Sequence, residues 1–272
     1  MPFERELEAA LEAARQASDL IRKDYDALVA IPNAPASIST ATDRGSQEII
    51  LQYLQSVFPE DALCAEEATP TLAKARHAGP RTWIVDPIDG TRGFAMKNGE
   101  FSVMIGLVEQ GKLAVGVVLE PVSGRVTYAT RGGGCWLRTG DRGLKRCVVS
   151  KTADLNSSTL VQSHSRSPTD PSAAAKVMRP SRTIEVYSAG VKLAIVARGE
   201  ADLYVNTYSN FSDWDICAGH LLVVEAGGKV TTLAGGEIQY CSANSAQQHG
   251  LLATNGSIHD SAVEALSHAR IW

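Results

Sequence analysis

Between Leu7 and Leu28 the apolar residues Leu7, Ala10, Leu11, Ala14, Ile21, Tyr25 and Leu28 recur at helical spacing. That stripe predicts a long amphipathic helix ending before Pro32. Ile49, Ile50, Tyr53, Leu54 and Val57 repeat the pattern, so a second helix is expected to follow Asp43 and stop at Pro59. From Trp83 to Trp136 the pattern changes to short apolar runs broken by turn residues. Strands are expected over 101–108, 112–119, 125–130 and 134–137, with hairpin corners at Gln110-Gly111 and Ser123-Gly124. An antiparallel meander that follows a helical layer favours α+β layers over a doubly wound parallel sheet.

The second half resumes after the polar, basic stretch from Arg138 to Arg146, read as the boundary between an N-terminal lobe, 1–145, and a C-terminal lobe, 146–272. Strands over 160–162 and 183–186 flank a helix near 173–178. A further helix over 190–197 stops at Gly199, and a strand follows over 201–205. Ser212 or Asp213 can cap a last helix through 214–225, closed by Gly227-Gly228.

The strand-like run Thr82-Trp83-Ile84-Val85 delivers Asp86-Pro87-Ile88-Asp89-Gly90-Thr91. Pro87 is expected to hold Asp86 extended and to end the ladder, so that both acids turn to one side instead of alternating across a strand. Gly90 and Thr91 offer close backbone approach, exposed N–H groups and a hydroxyl where a helix starts. Alone, the segment reads equally as a surface turn. It has company, however, in Cys64-Ala65-Glu66-Glu67 and in Asp213-Trp214-Asp215, each at the edge of an apolar run. Three such clusters supply hard oxygen ligands suited to magnesium.

At 272 residues the chain has length for one large domain or two intimate lobes, and 44% apolar with 21% charged residues is ordinary for a soluble globular protein. The net charge of −4 and the lack of a basic block argue against a polymeric nucleic acid as partner. A small anionic substrate stays open, because bound cations reverse the local field. The charged N-terminus lacks a signal-peptide pattern and no run is long and apolar enough for a membrane span, so no membrane partner is expected. Cys64, Cys135, Cys147, Cys217 and Cys241 are scattered and odd in number, which fits buried thiols in a reducing cytoplasm and not a disulfide framework or zinc site.

Ala65-Glu66-Glu67, Trp83-Ile84-Val85-Asp86-Pro87-Ile88-Asp89-Gly90-Thr91 and Trp214-Asp215-Ile216-Cys217-Ala218-Gly219 together closely resemble the inositol monophosphatase superfamily of lithium-sensitive, magnesium-dependent phosphatases. The correspondence runs from Thr40-Ala41-Thr42-Asp43 to Glu225-Ala226-Gly227-Gly228. The resemblance implies a layered αβαβα sugar-phosphatase fold of the α+β class. It makes Glu66, Asp86, Asp89 and Asp215 metal carboxylates and the Ile88 carbonyl a further ligand, together holding two or three Mg2+ ions. One ion would activate a water and another would stabilise the leaving oxygen. Thr91, with Asp43 or Glu67, would orient and deprotonate that water. Phosphate oxygens would rest on the Gly90 and Thr91 amides and on the N-terminus of the helix after Asp215.

Within the superfamily, Ser188-Ala189-Gly190-Val191-Lys192 and Val161-Gln162-Ser163-His164-Ser165-Arg166 look like the 3'(2'),5'-bisphosphate nucleotidase branch. There Lys192 would neutralise a second phosphate, and Ser163, His164, Ser188 and Gly190 would line the substrate site. The implied substrate is a small phosphate ester, adenosine 3',5'-bisphosphate or its 5'-phosphosulfate relative, by-products of sulfate activation. Lys192 also reads as a charge on a solvated helix face, and His164 and Arg166 as an ordinary polar loop. Ala68 and Asn206 depart from residues frequent in relatives, serine and arginine respectively. An inositol or other sugar-monophosphate phosphatase is the rival reading, and a noncatalytic relative that binds a phosphorylated metabolite is the rival from another class. Monomer and homodimer both remain open.

Overall fold

The computed structural model describes residues 2–140, 143–164, 170–208, 211–242 and 245–269. Helix α1 (Glu4–Ala27) buries Leu7, Ala10, Ala14 and Ile21, and Glu4 and Glu6 occupy its first turn, where acids suit the helix dipole. Helix α2 (Ala41–Val57) begins earlier than expected. Thr40 caps it, and Asp43 closes a capping box by accepting the Thr40 N–H at 2.9 Å, so Asp43 lies inside the first turn.

Seven strands follow one another across the first sheet: β1 (Ala62–Ala65), β2 (Arg81–Asp89), β3 (Ser102–Glu109), β4 (Lys112–Glu120), β5 (Arg125–Thr130), β6 (Gly134–Thr139) and β7 (Leu144–Cys147). Short helices α3 (Pro70–Lys74) and α4 (Thr91–Ala95) interrupt the series. The pairs from β2 onward are antiparallel, as the meander required, and β1 joins β2 in parallel. At the first corner Gln110 and Gly111 both have positive φ, 51° and 75°, the handedness that suits a tight hairpin between twisted strands.

The second half contributes β8 (Thr159–Gln162), β9 (Arg182–Glu185), β10 (Leu203–Asn206), the short pair β11 (Phe211–Ser212) and β13 (Ala246–Gln247), β12 (Lys229–Thr231) and β14 (Leu251–Thr254). Its five-stranded sheet has the order β12-β14-β10-β8-β9. Helices α5 (Ala173–Met178), α6 (Ala189–Ala197), α7 (Asp213–Glu225) and α8 (His259–Ala269) complete the chain.

Three cores define the stacking. One joins α1 and α2 to the first sheet, a second places α6 and α7 between the two sheets, and a third covers the far side of the second sheet with α5 and α8. The result is the layered α+β architecture expected. Because α6 and α7 share apolar contacts with both sheets, the two halves form one continuous stack. The approach of α7 depends on glycine: a Cβ on Gly116 would lie 2.5 Å from the Ala218 carbonyl oxygen, and one on Gly106 2.5 Å from Cys217 Sγ. That close seating sets the position of Asp215 in the first turn of α7.

Candidate active site

Asp86 and Asp89 lie three positions apart on β2, and in a regular strand they would face opposite sides. Pro87 removes one donor from the ladder, and the register shifts between Asp86↔Met104 and Asp89↔Ser102. The expectation that Pro87 ends the ladder is therefore corrected: pairing resumes at Asp89, and the irregularity between the two acids lets both turn to one side. Asp215 arrives from α7. One carboxylate oxygen from each of Asp86, Asp89 and Asp215 falls within 4.8 Å of the others.

Each carboxylate is held differently. Asp89 faces the N-terminus of α6, where its Oδ1 accepts the Ala189 N–H at 3.0 Å and its Oδ2 the Gly190 N–H at 2.7 Å, with Ser188 Oγ also donating. Asp215 Oδ2 accepts the Ser212 N–H at 2.6 Å, closing the capping box of α7. The N-termini of both α6 and α7 therefore meet the carboxylate cluster, α6 through Asp89 and α7 through Asp215 in its first turn. Asp86 Oδ1 is buried without any hydrogen-bond partner.

Burial and mutual repulsion dominate the electrostatics. Burial pushes Asp86 well above its ordinary value, with the charges of Glu66 and Asp89 adding to it. Burial lifts Glu66 to about 8, helped by the charges of Asp215 and Glu67. Asp215 rises to about 7, again chiefly through burial and against the pull of its Ser212 bond. Asp89 and Asp43 are raised for the same first reason. So many neighbouring carboxylates cannot all ionise without a counter-charge. The orphaned Asp86 oxygen and the all-oxygen donor set fit a divalent cation such as magnesium. Glu66 lies outside the tight triad but within hydrogen-bonding reach of Asp86.

Thr91 Oγ1 stands 2.9 Å from Asp43 Oδ1 and 2.9 Å from the Ile88 carbonyl oxygen. Of the two acids expected beside Thr91, Asp43 makes this contact, whereas Glu67 Oε1 accepts from Ser39 Oγ at 2.6 Å. Gly90 is left-handed, with φ 87°, and a Cβ there would lie 2.8 Å from the Glu100 carbonyl oxygen. Only glycine fits this turn, which starts α4 and leaves its first amides without helical partners.

Lys192 differs from both expectations. It is 1% exposed, and its ammonium donates to Ser163 Oγ at 2.9 Å, the Val186 carbonyl at 3.1 Å and the Tyr187 carbonyl at 3.0 Å. All three protons are spent inside the protein, so Lys192 neither lies on a solvated face nor presents a free donor to a second phosphate. Burial lowers it to about 8, against the charges of Asp89 and Glu100. His164 Nε2 lies 2.6 Å from Glu100 Oε2, and its ring stacks on Tyr187 at 4.3 Å. A small cavity of about 60 Å³ opens beside Ser163, lined also by Gln162, Tyr204 and Asn206. Arg166 lies outside the described residues. Ser102, Glu100 and Tyr187 escaped the sequence reading; the only signal for Glu100 was its place just after the Asn98-Gly99 turn.

Residues 4–270 match the model of the inositol monophosphatase family. The chain belongs to the inositol monophosphatase family. It is 32% identical over 254 residues to the 3'(2'),5'-bisphosphate nucleotidase CysQ of Salmonella typhimurium, covering 91% of this chain and 99% of that protein. It is 30% identical over 238 residues to the inositol-1-monophosphatase of Bacillus subtilis, covering 87% and 86%. The Thermotoga maritima IMPase structure superposes with a TM-score of 0.81 at 28% identity, over 98% of this chain and all of that one. The carboxylate cluster and Thr91 of this inositol monophosphatase family member therefore sit in a phosphatase fold.

Proposed function

We propose that this chain is a magnesium-dependent phosphomonoesterase that removes the 3'-phosphate of adenosine 3',5'-bisphosphate and of its 5'-phosphosulfate relative. The observation that carries the chemistry is the triad of Asp86, Asp89 and Asp215, with its unpaired buried oxygen, beside the Thr91–Asp43 contact. Magnesium, when bound, supplies an activated water and a counter-charge for the leaving oxygen. Asp86, Asp89, Asp215, Glu66 and the Ile88 carbonyl are the oxygens that would hold it. Thr91 Oγ1 orients the attacking water and takes up its proton while passing its own hydroxyl proton to Asp43, whose burial makes it a better proton acceptor than an exposed carboxylate. Gly90 and the first-turn amides of α4 cradle the phosphate oxygens.

The bisphosphate reading is supported by the likeness to the Salmonella typhimurium nucleotidase over nearly its whole length. It is also supported by the Ser163–His164 wall beside the cluster, which Lys192 braces from within. A second reading, inositol 1-phosphate hydrolysis, is favoured by the comparable likeness to the Bacillus subtilis enzyme. Phosphate release in Mg2+ from adenosine 3',5'-bisphosphate and from inositol 1-phosphate decides between them. A higher kcat/KM for inositol 1-phosphate sinks the nucleotidase reading.

A further inference from the structure

Lys192 is committed inside the protein, yet one cation beside the cluster is not. Arg92 follows Thr91 in the first turn of α4, and its Nε is buried with no hydrogen-bond partner. Among the described residues no carboxylate forms an ion pair with it. Its guanidinium lies 5.2 Å from the centre of the Tyr187 ring. Tyr187 is a rigid support: its N–H donates to Glu100 Oε2 at 3.2 Å, its carbonyl takes a Lys192 proton at 3.0 Å, and its ring stacks on His164. The next residue, Ser188, caps α6 and donates to Asp89.

Consecutive helical residues point roughly 100° apart. Thr91 turns its hydroxyl to Asp43, where the reacting phosphate is handled, while Arg92 reaches the Tyr187 wall. A guanidinium stacked on an aromatic face keeps its N–H edge available for a planar, bidentate anion contact. Glu100, an acid on that wall, is already engaged by His164 and the Tyr187 N–H.

We propose that Arg92 binds the second, non-reacting phosphate of a bisphosphorylated substrate and thereby sets the preference for a bisphosphate over a monophosphate, an inference that rests on the bisphosphatase reading above. Steady-state kinetics in Mg2+ on adenosine 3',5'-bisphosphate and adenosine 3'-phosphate, which share the reacting phosphate and differ in the other, test it with wild type, Arg92→Met and Arg92→Lys. Wild type is expected to prefer the bisphosphate. Arg92→Met is expected to reduce the ratio of the two kcat/KM values about tenfold or more, with the change carried by KM for the bisphosphate, as loss of one charge-assisted contact implies. Arg92→Lys, which keeps the charge and loses the fork, is expected to retain part of the ratio. Melting shifts give an independent binding readout: the bisphosphate is expected to stabilise wild type more than the monophosphate does, and Arg92→Met to lose that excess. An unchanged ratio in a folded Arg92→Met enzyme overturns the role of Arg92 while leaving the bisphosphatase reading intact. A wild type without any preference for the bisphosphate overturns the reading itself.

Discussion

Neutralising one carboxylate of the cluster is expected to stabilise the protein stripped of divalent cations while destroying its chemistry. Asp215→Asn is the cleanest case, because asparagine keeps an oxygen to accept the Ser212 N–H and so preserves the cap of α7. Burial raises Asp215 from an ordinary 3.8 to about 7. A folded value above the unfolded one means that stability is complete below pH 3.8 and is lost as pH rises through about 7, since the folded state then binds more protons than the unfolded chain. Each pH unit in that window is worth about 1.4 kcal/mol, so the carboxylate costs at most ~4 kcal/mol near pH 7. Its opening toward the cleft reduces this to roughly 2–3 kcal/mol through solvent screening. For a chain of this size that corresponds to a melting temperature roughly 5–10 °C higher for the variant in EDTA at pH 7.5. The difference is expected to vanish near pH 3.5. In Mg2+ the order reverses, because wild type gains stability by binding the ion and Asp215→Asn does not. Scanning calorimetry in EDTA and in Mg2+, from pH 3.5 to 8, measures all of this. A variant no more stable than wild type in EDTA at pH 7.5 refutes the picture of crowded, uncompensated carboxylates.

Three further outcomes follow from the same geometry. Thr91→Val keeps the shape of α4 but removes the hydroxyl 2.9 Å from Asp43; kcat is expected to fall about 100- to 1000-fold with little change in KM, as initial-rate kinetics can check. Gly116→Ala drives a methyl group against the Ala218 carbonyl; urea denaturation should show a loss of about 1–3 kcal/mol, along with lower activity as α7 and Asp215 are displaced. Lys192 has a folded value lowered from 10.5 to about 8, so its burial is a penalty below pH 8 that is relieved as pH rises from 8 toward 10.5. The stability of wild type relative to Lys192→Met is therefore expected to increase by roughly 1–3 kcal/mol across that interval in urea titrations, and a flat difference counts against a buried ammonium.

Much of this architecture was legible because it is local. The stripe from Leu7 to Leu28, the Gln110-Gly111 corner and the cap at Ser212 each depend on residues within one turn or hairpin, and the structure places helix, corner and cap there. The shift at Pro87 was half legible. A proline in a strand announced an interruption, but whether the ladder stops or resumes depends on Ser102 across the sheet. For Lys192 the signal lies in its own helix. Val191, Leu193, Ala194, Ile195 and Val196 surround it, and a helix apolar on every side is buried, lysine included. The meeting of Asp215 with Asp86 arises from the stacking of α7 between two sheets, which no periodicity within either segment encodes.

Phosphate release from adenosine 3',5'-bisphosphate, followed as Mg2+ is titrated into metal-stripped wild type and Asp86→Asn, shows whether hydrolysis depends on a cation held by this cluster. Asp86 is chosen because its buried, unpartnered oxygen is what calls for a cation. The expected result is a wild type inactive in EDTA that gains activity saturably with Mg2+, and a folded Asp86→Asn at least about 100-fold less active at every Mg2+ concentration. Hydrolysis by wild type that persists without divalent cation, or an Asp86→Asn enzyme as active as wild type, contradicts the account.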